Sequence, residues 1–423
     1  MAASGSLVRF RYEFVNALFL AWDSIRSHKL RSFLTLLGVI IGVASVVMVG
    51  AAISGLGVYA EESTSKAFGS NSFLVAQVAA SGRMSRKELF ERFRRNKRIR
   101  QEDWNYLRIV NGESTLYSPY QQRAADLKHD SLTCEDATII GVSPEMAQIR
   151  DLTLVDGRFF TEQEERTRAP VIVIGDEVRS TLFPAEGSPL GLTVKLNGID
   201  FRVIGILEKL GSAFGRSLDR AAYVPYSAFT RMFGPGQSIA VFARARNESG
   251  MSMEQALDET RVALRTRFHA RPGQPDNFDT LTPDAIRGFI DSVLAMIAAV
   301  VVPVTCISLV VGGIVIMNIM LVSVTERTRE IGIRKSVGAR RSDVMLQVLL
   351  EAVMMAMAGG ALGVGLGAAL TAVLARVFEI SMAITPGYVI LALGVSSVVG
   401  IASGWYPAAR ASKLDPVVAL RAE

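Results

Sequence analysis

The sequence predicts an α-helical membrane protein with four transmembrane helices and an α+β extracytoplasmic domain of two lobes between helices 1 and 2. Three observations carry this reading. Ser32 to Ala60 and Ser292 to Thr325 contain no charged residue, and two more apolar runs follow, Ala352 to Ala375 and Pro386 to Tyr406. About 20 apolar residues suffice to cross a bilayer. Between the first two runs, residues 61–291 hold no apolar stretch of that length and alternate helix-like with strand-like patterns. Finally, 50% of the 423 residues are hydrophobic while 20% are charged, the mixture expected of a membrane protein with a large aqueous part.

Composition also excludes some classes. The net charge of +6 is modest, so charge matters by where it sits. Cys134 lies in the polar middle and Cys306 in an apolar run, which predicts no disulfide framework. His28, His129 and His269 are scattered, against a His-based metal site, and no metal ligand set is predicted. No G-x-x-x-x-G-K-[ST] occurs, so no phosphate-cradling loop is expected in this chain.

Residues 1–31 read as an amphipathic helix on the cytoplasmic membrane surface. Arg9, Arg11, Arg26, Lys29 and Arg31 face headgroups, and Phe10, Phe14, Leu18, Trp22 and Ile25 recur at helical spacing. Residues 32–60 form the first span and a stalk, with Gly38 and Gly42 as a small-xxx-small packing pair.

In the domain at 61–291, Lys87 to Arg108 reads as one amphipathic helix and Met253 to Phe268 as another. Ala137 to Val142, Val171 to Gly175, Leu192 to Leu196 and Phe201 to Leu207 read as strands. Asn197-Gly198 between the last two is a strong hairpin signal. The strand-rich lobe is placed at about 135–230, inserted into a unit made of both ends. Arg83 to Arg108 holds ten Lys or Arg against four acids. This cluster is either a solvated helical face or a surface for an acidic partner, anionic lipid or acidic substrate. Nucleic acid is excluded as a partner on that side of a membrane.

Residues 292–325 form a second stalk and span. At about 1.5 Å per residue the run makes roughly 50 Å of helix against about 30 Å of hydrocarbon. Pro303 is expected to kink it, and Asn318 is expected to make an interhelical packing contact in preference to a transport contact. The third span, 352–375, carries Gly359, Gly363 and Gly367 on one face, a doubled small-xxx-small pattern for packing within the subunit or across a dimer. Its G-x-G-x-G-A run follows no strand and is rejected as a dinucleotide site. The fourth span, 386–406, has Thr385 as cap, Pro386 in the first turn and Pro407 as its expected stop, followed by a tail at 407–423. The N-terminus, the segment at 326–351 and the tail are all basic, so the positive-inside rule places both termini in the cytoplasm and the large domain outside it.

The segment at 326–351 is the densest in charge between two spans. It reads as helix, break, helix, with Glu330 and Arg334 as a favourable i,i+4 pair, Gly338 as the stop, and Ser342 and Asp343 opening the next helix. A charged elbow between membrane helices is either a passive loop or a handle for a cytoplasmic partner.

Several stretches together resemble the MacB-type permeases, the group that includes FtsX and the LolC and LolE subunits. They are KLRSFLTLLGVIIGVASVV (29–47), DGRFFT (156–161), VIVIG (171–175), PLG (189–191), NGIDFRVIGIL (197–207), ERTREIGIRKSVGARRSDV (326–344) and YPAARASKLDPVVALR (406–421). The resemblance implies a bacterial inner-membrane, multi-pass permease subunit of an ABC transporter, not itself an enzyme. It implies homo- or heterodimerisation with a second permease subunit. A separate cytoplasmic ABC ATPase would bind ATP and Mg and drive export of a compound or peptide by mechanotransmission; no cofactor is expected in this chain. It places Glu330, Gly332, Arg334, Lys335, Gly338, Ala339 and Arg340 at or beside the ATPase contact. It allows a periplasmic adaptor and an outer-membrane channel as partners, besides membrane lipids. Lipoprotein release of the LolC/LolE type and FtsX-like regulation of an envelope enzyme are the alternatives.

Overall fold

The structure is a computed structural model that describes residues 29–82, 84–184, 188–213, 215–378, 382 and 384–421, with the side chains of 29–35, 378, 418, 420 and 421 left aside. The amphipathic helix expected over 1–31 falls almost wholly outside these residues. The chain forms two compact units, residues Ala60–Asp291 and a helical unit made of the segments up to Tyr59 and from Ser292 onward.

Among the described residues, four helices are long and apolar enough to cross a membrane. The first is Lys29–Phe68, the second Pro283–Glu326, the third Arg341–Phe378 and the fourth Pro386–Ser412. Within the helical unit, small residues set the packing. A Cβ at Gly38 would sit 2.7 Å from Gly312 Cα, and one at Gly42 would sit 2.7 Å from Leu309 Cδ2, so the first and second helices meet nearly backbone to backbone. Gly359, Gly363 and Gly367 receive Leu36, Val39, Val43 and Val47 of the first helix. The glycine stripe is therefore filled within the subunit. The third and fourth helices join through Gly400 against Ala356, Gly404 against Ala352, and a 2.5 Å hydrogen bond from Ser396 Oγ to the Ala356 carbonyl. Outward faces remain apolar, as at Val300 (65% exposed) and Ile390 (72%), the surface a bilayer covers. Asn318 is exposed, and its side chain hydrogen-bonds to none of the described residues of this subunit.

Two expectations about prolines meet the structure differently. Pro303 lies inside a continuous helix. Pro407 does not stop the fourth helix, which runs on to Ser412. Pro407 is buried inside that helix.

The Ala60–Asp291 unit is built on a mixed sheet, ten-stranded among the described residues. Its strands are β1 (Ser72–Ala76), β2 (Thr115–His129), β3 (Leu132–Val142), β4 (Leu154–Gly157), β5 (Val171–Ile174), β6 (Thr193–Leu196), β7 (Ile199–Leu207), β10 (Ala221–Pro225), β11 (Ala240–Ala245) and β12 (Asp279–Leu281), with β8 (Ser212–Ala213) and β9 (Arg216–Ser217) forming a separate pair. The order is β12-β1-β11-β2-β3-β10-β5-β7-β4, with β6 against β2 and β7. Long β2 pairs with β11, β3 and β6 and so serves both ends of the sheet. One core gathers Leu127, Ile139, Val178, Phe201 and Phe229; a second gathers Phe73, Trp104, Tyr117, Val241 and Leu264 from the two ends of the domain sequence. A third core, with Leu116 and Phe242 against Ile140, Val173 and Tyr223, joins the two on one shared sheet. The Asn197-Gly198 turn joins β6 to β7, with φ of +49° and +82° at the two residues, as a type I′ hairpin requires.

The helix expected over Lys87–Arg108 is two helices, Arg86–Arg95 and Gln101–Asn111. The break contains no Gly or Pro. Its backbone is claimed by other segments: Lys97 N–H donates to the Asn277 carbonyl and Ile99 N–H to Ser238 Oγ, while Ile99 is fully buried. Much of the basic cluster is paired internally. Arg92 and Arg95 flank Asp279 at 2.8 and 3.6 Å, and Arg108 reaches Glu145 and Glu162.

Candidate coupling site at the charged elbow

The second membrane helix ends at Glu326, and after Arg327 a short helix, Thr328–Ser336, begins. It closes with a Schellman motif. Gly338 N–H donates to the Lys335 carbonyl and Ala339 N–H to the Arg334 carbonyl, with Gly338 at φ +106°. The third membrane helix then opens at Arg341, and the carboxylate of Asp343 reaches back to the Arg340 N–H at 3.2 Å. Arg340, not Ser342, therefore stands at the cap position. Ser342 lies inside the first turn and donates to Asp343 instead.

One face of the elbow helix is held by the rest of the unit. Gly332 is buried, and a Cβ there would come within 2.7 Å of Ala419 Cβ on the terminal helix Pro416–Arg421. Lys335 Nζ donates to the Ser412 and Leu414 carbonyls at 2.6 and 2.7 Å. Ser412 ends the fourth membrane helix, whose last carbonyls have no partner within the helix, and Leu414 lies just beyond it. Arg334 Nη1 donates to Gln347 Oε1 at 2.7 Å, and Arg327 pairs with Glu351 at 3.3 Å, tying the elbow to the third helix. The expected Glu330–Arg334 pair does not form among the described residues, because Arg334 turns to Gln347. A cavity of about 220 Å³ lies under the elbow between Met320, Arg327, Arg334, Val344 and Glu351.

The other face is open. Ile333 is 47% exposed and Val337 84% exposed, one turn apart. Glu330, Gly338, Arg340 and Arg341 are also exposed, as is Arg334 beyond its bond to Gln347. Of the seven residues singled out in the sequence, Gly332 and Lys335 thus serve the inner face, Ala339 is half-buried, and the other four lie at the surface. Sequence reasoning passed over Ile333 and Val337. The signal was present: Ile333 and Val337 stand at i,i+4 across the end of a helix that carries Arg329, Glu330, Arg334 and Lys335.

Comparison with known proteins gives the family. Residues 32–263 match the MacB-like periplasmic core domain, and residues 292–416 match the FtsX-like permease C-terminal domain. The chain belongs to the MacB/FtsX permease family. Among the permease's relatives is the macrolide export ATP-binding/permease protein MacB of Bdellovibrio bacteriovorus, 35% identical over 420 residues, covering 97% of this chain and 62% of that protein. The MacB protein of Acinetobacter baylyi is 34% identical over 415 residues, covering 96% and 59% respectively. The permease therefore spans about three-fifths of the length of these relatives. Its structure is also similar to the periplasmic region of MacB from Actinobacillus actinomycetemcomitans, with a TM-score of 0.42 and 19% identity over 54% of this chain and 95% of that one.

Proposed function

We propose that this permease is the membrane subunit of an ABC exporter of the bacterial inner membrane, with both termini in the cytoplasm, and that the elbow is where a separate cytoplasmic ATPase docks. The observation that carries the proposal is the two-sidedness of the Thr328–Ser336 helix. Its inner face is fixed by Gly332 and Lys335, while Ile333 and Val337 stay exposed, with Arg340 and Arg341 also exposed where the chain turns into the third helix. An apolar knob on a rigid mount suits a groove in a partner, with the charges setting register.

In this reading ATP and Mg are bound by the ATPase. Closure of two ATPases moves the elbows of two permease subunits, and the extracytoplasmic domain changes shape to expel a compound or peptide. The continuity of the first and second helices, Lys29–Phe68 and Pro283–Glu326, supports transmission by rigid elements. The exposed Asn318 on an apolar face supports a second subunit there. The relatives' name, macrolide export, supports efflux over lipoprotein release.

The test is purification of the tagged chain from its native membranes. An ABC ATPase should co-purify and hydrolyse ATP, and Ile333→Asp with Val337→Asp should remove it while leaving a folded, monodisperse permease. Retention of the ATPase by that double variant would overturn the assignment.

A further inference from the structure

Arg150 stands just after the short helix Met146–Ile149 in the Ala60–Asp291 unit, and it is 7% exposed. Its Nη1 donates to the Tyr223 hydroxyl at 2.8 Å and its Nη2 to the Lys66 carbonyl at 2.9 Å. Its Nε is buried and has no hydrogen-bond partner. Both of its partners are neutral, and no carboxylate pairs with it among the described residues. A guanidinium taken out of water without a counter-charge is costly, so buried charges are normally paired.

This arginine lines a cavity of about 400 Å³, a size within the usual range for small-molecule sites. Arg123 and Arg216 also line it; both are exposed, and neither forms an ion pair among the described residues. Among the described residues, no Asp or Glu lines the cavity. The remaining wall is largely apolar, with Tyr120, Ile140 and Phe242 among its members. Burial pushes the Tyr120 hydroxyl up to about 12. It therefore stays protonated, donating to Gln122 at 2.8 Å, and is no phenolate counter-ion for Arg150.

We propose that this cavity binds an anionic amphiphile, its carboxylate or phosphate headgroup against Arg150, with Arg123 and Arg216 at the entrance and its apolar body along Tyr120, Ile140 and Phe242. Three arginines without acids select negative charge, and the apolar wall selects a hydrocarbon or aromatic body over a bare anion. The site stands whether or not the elbow docks an ATPase.

The experiment is equilibrium dialysis of radiolabelled decanoate against the whole chain in phosphatidylcholine nanodiscs, with uptake by empty nanodiscs subtracted. Decanol and inorganic phosphate are the comparison probes. Decanoate should bind saturably at about one per chain, with decanol and phosphate each at least about tenfold weaker. Arg150→Met should weaken decanoate about tenfold or more, as loss of one partner of a buried charge pair does. Because Arg150 also holds Tyr223 and Lys66, two milder variants accompany it: Arg123→Gln with Arg216→Gln, and Ala124→Trp, which adds bulk at an exposed lining position. Both should weaken decanoate several-fold in folded protein. Equal binding of decanol, equal binding of phosphate, or undiminished decanoate binding in the folded variants would each overturn the proposal.

Discussion

Lys335 donates its ammonium to the Ser412 carbonyl at 2.6 Å, so the elbow helix and the end of the fourth membrane helix are joined by a charge-assisted bond. A second bond from the same nitrogen reaches Leu414. Lys335→Met removes both and leaves the Ser412 and Leu414 carbonyls to water. The expected loss is about 1–3 kcal/mol of stability, read as a lower thermal midpoint in detergent, together with weaker stimulation of ATP hydrolysis by the permease. Lys335→Arg should recover part of both.

The glycines of the third helix are not equivalent. A Cβ on Gly363 would lie 2.8 Å from Val43 Cβ and 2.9 Å from the Ile40 carbonyl, whereas one on Gly365 meets nothing within 4 Å. Gly363→Leu should cost about 1–3 kcal/mol by overpacking the first helix. Gly365→Ala should be neutral or stabilising by about 0.5–1 kcal/mol, since alanine restricts the unfolded chain. Thermal unfolding of the two variants side by side decides this.

Gly338 at φ +106° closes the elbow helix. A side chain there is strained, at about 1–2 kcal/mol for a left-handed residue. Gly338→Val should fray the Schellman turn, seen as faster hydrogen exchange at Ala339 and Arg340, with the Ala60–Asp291 unit unaffected.

In the Ala60–Asp291 unit, ionisation of the Glu165 carboxyl opposes folding. Burial, helped by the nearby charge of Glu145, raises Glu165 from 4.5 to about 7, against hydrogen bonds from Ser227 and Tyr226 that pull it down. Between those two values the native state holds a proton that the unfolded chain has released, so stability falls as pH rises from about 4.5 through about 7. Glu165→Gln should flatten that slope and raise stability at pH 8 by on the order of 2 kcal/mol. Thermal midpoints taken from pH 5 to pH 8.5 measure it.

The membrane helices were legible because apolar runs without charge have one interpretation in a chain of this composition. The Asn197-Gly198 hairpin was legible because its turn chemistry is local. What escaped was set by distant partners. β2 carries Pro119 and several polar residues, and only its pairing with β3, β6 and β11 makes it the central strand. The break at Asn96–Arg100 is imposed by Asn277 and Ser238, far away in sequence. At the elbow, the charges and Gly338 could be read directly, but which face pointed inward could not. Ala419 and Ser412, which decide it, belong to the end of the chain.

The central claim, that the outer face of the elbow meets an ATPase, is tested most directly by placing a photo-cross-linking amino acid at Val337, which is 84% exposed, and irradiating native membranes. The account predicts a single major adduct with an ABC ATPase, strengthened by ATP trapping and absent when the probe replaces Val293 of the second helix. A Val337 probe that cross-links only to lipid, while ATP-driven export proceeds, would contradict it.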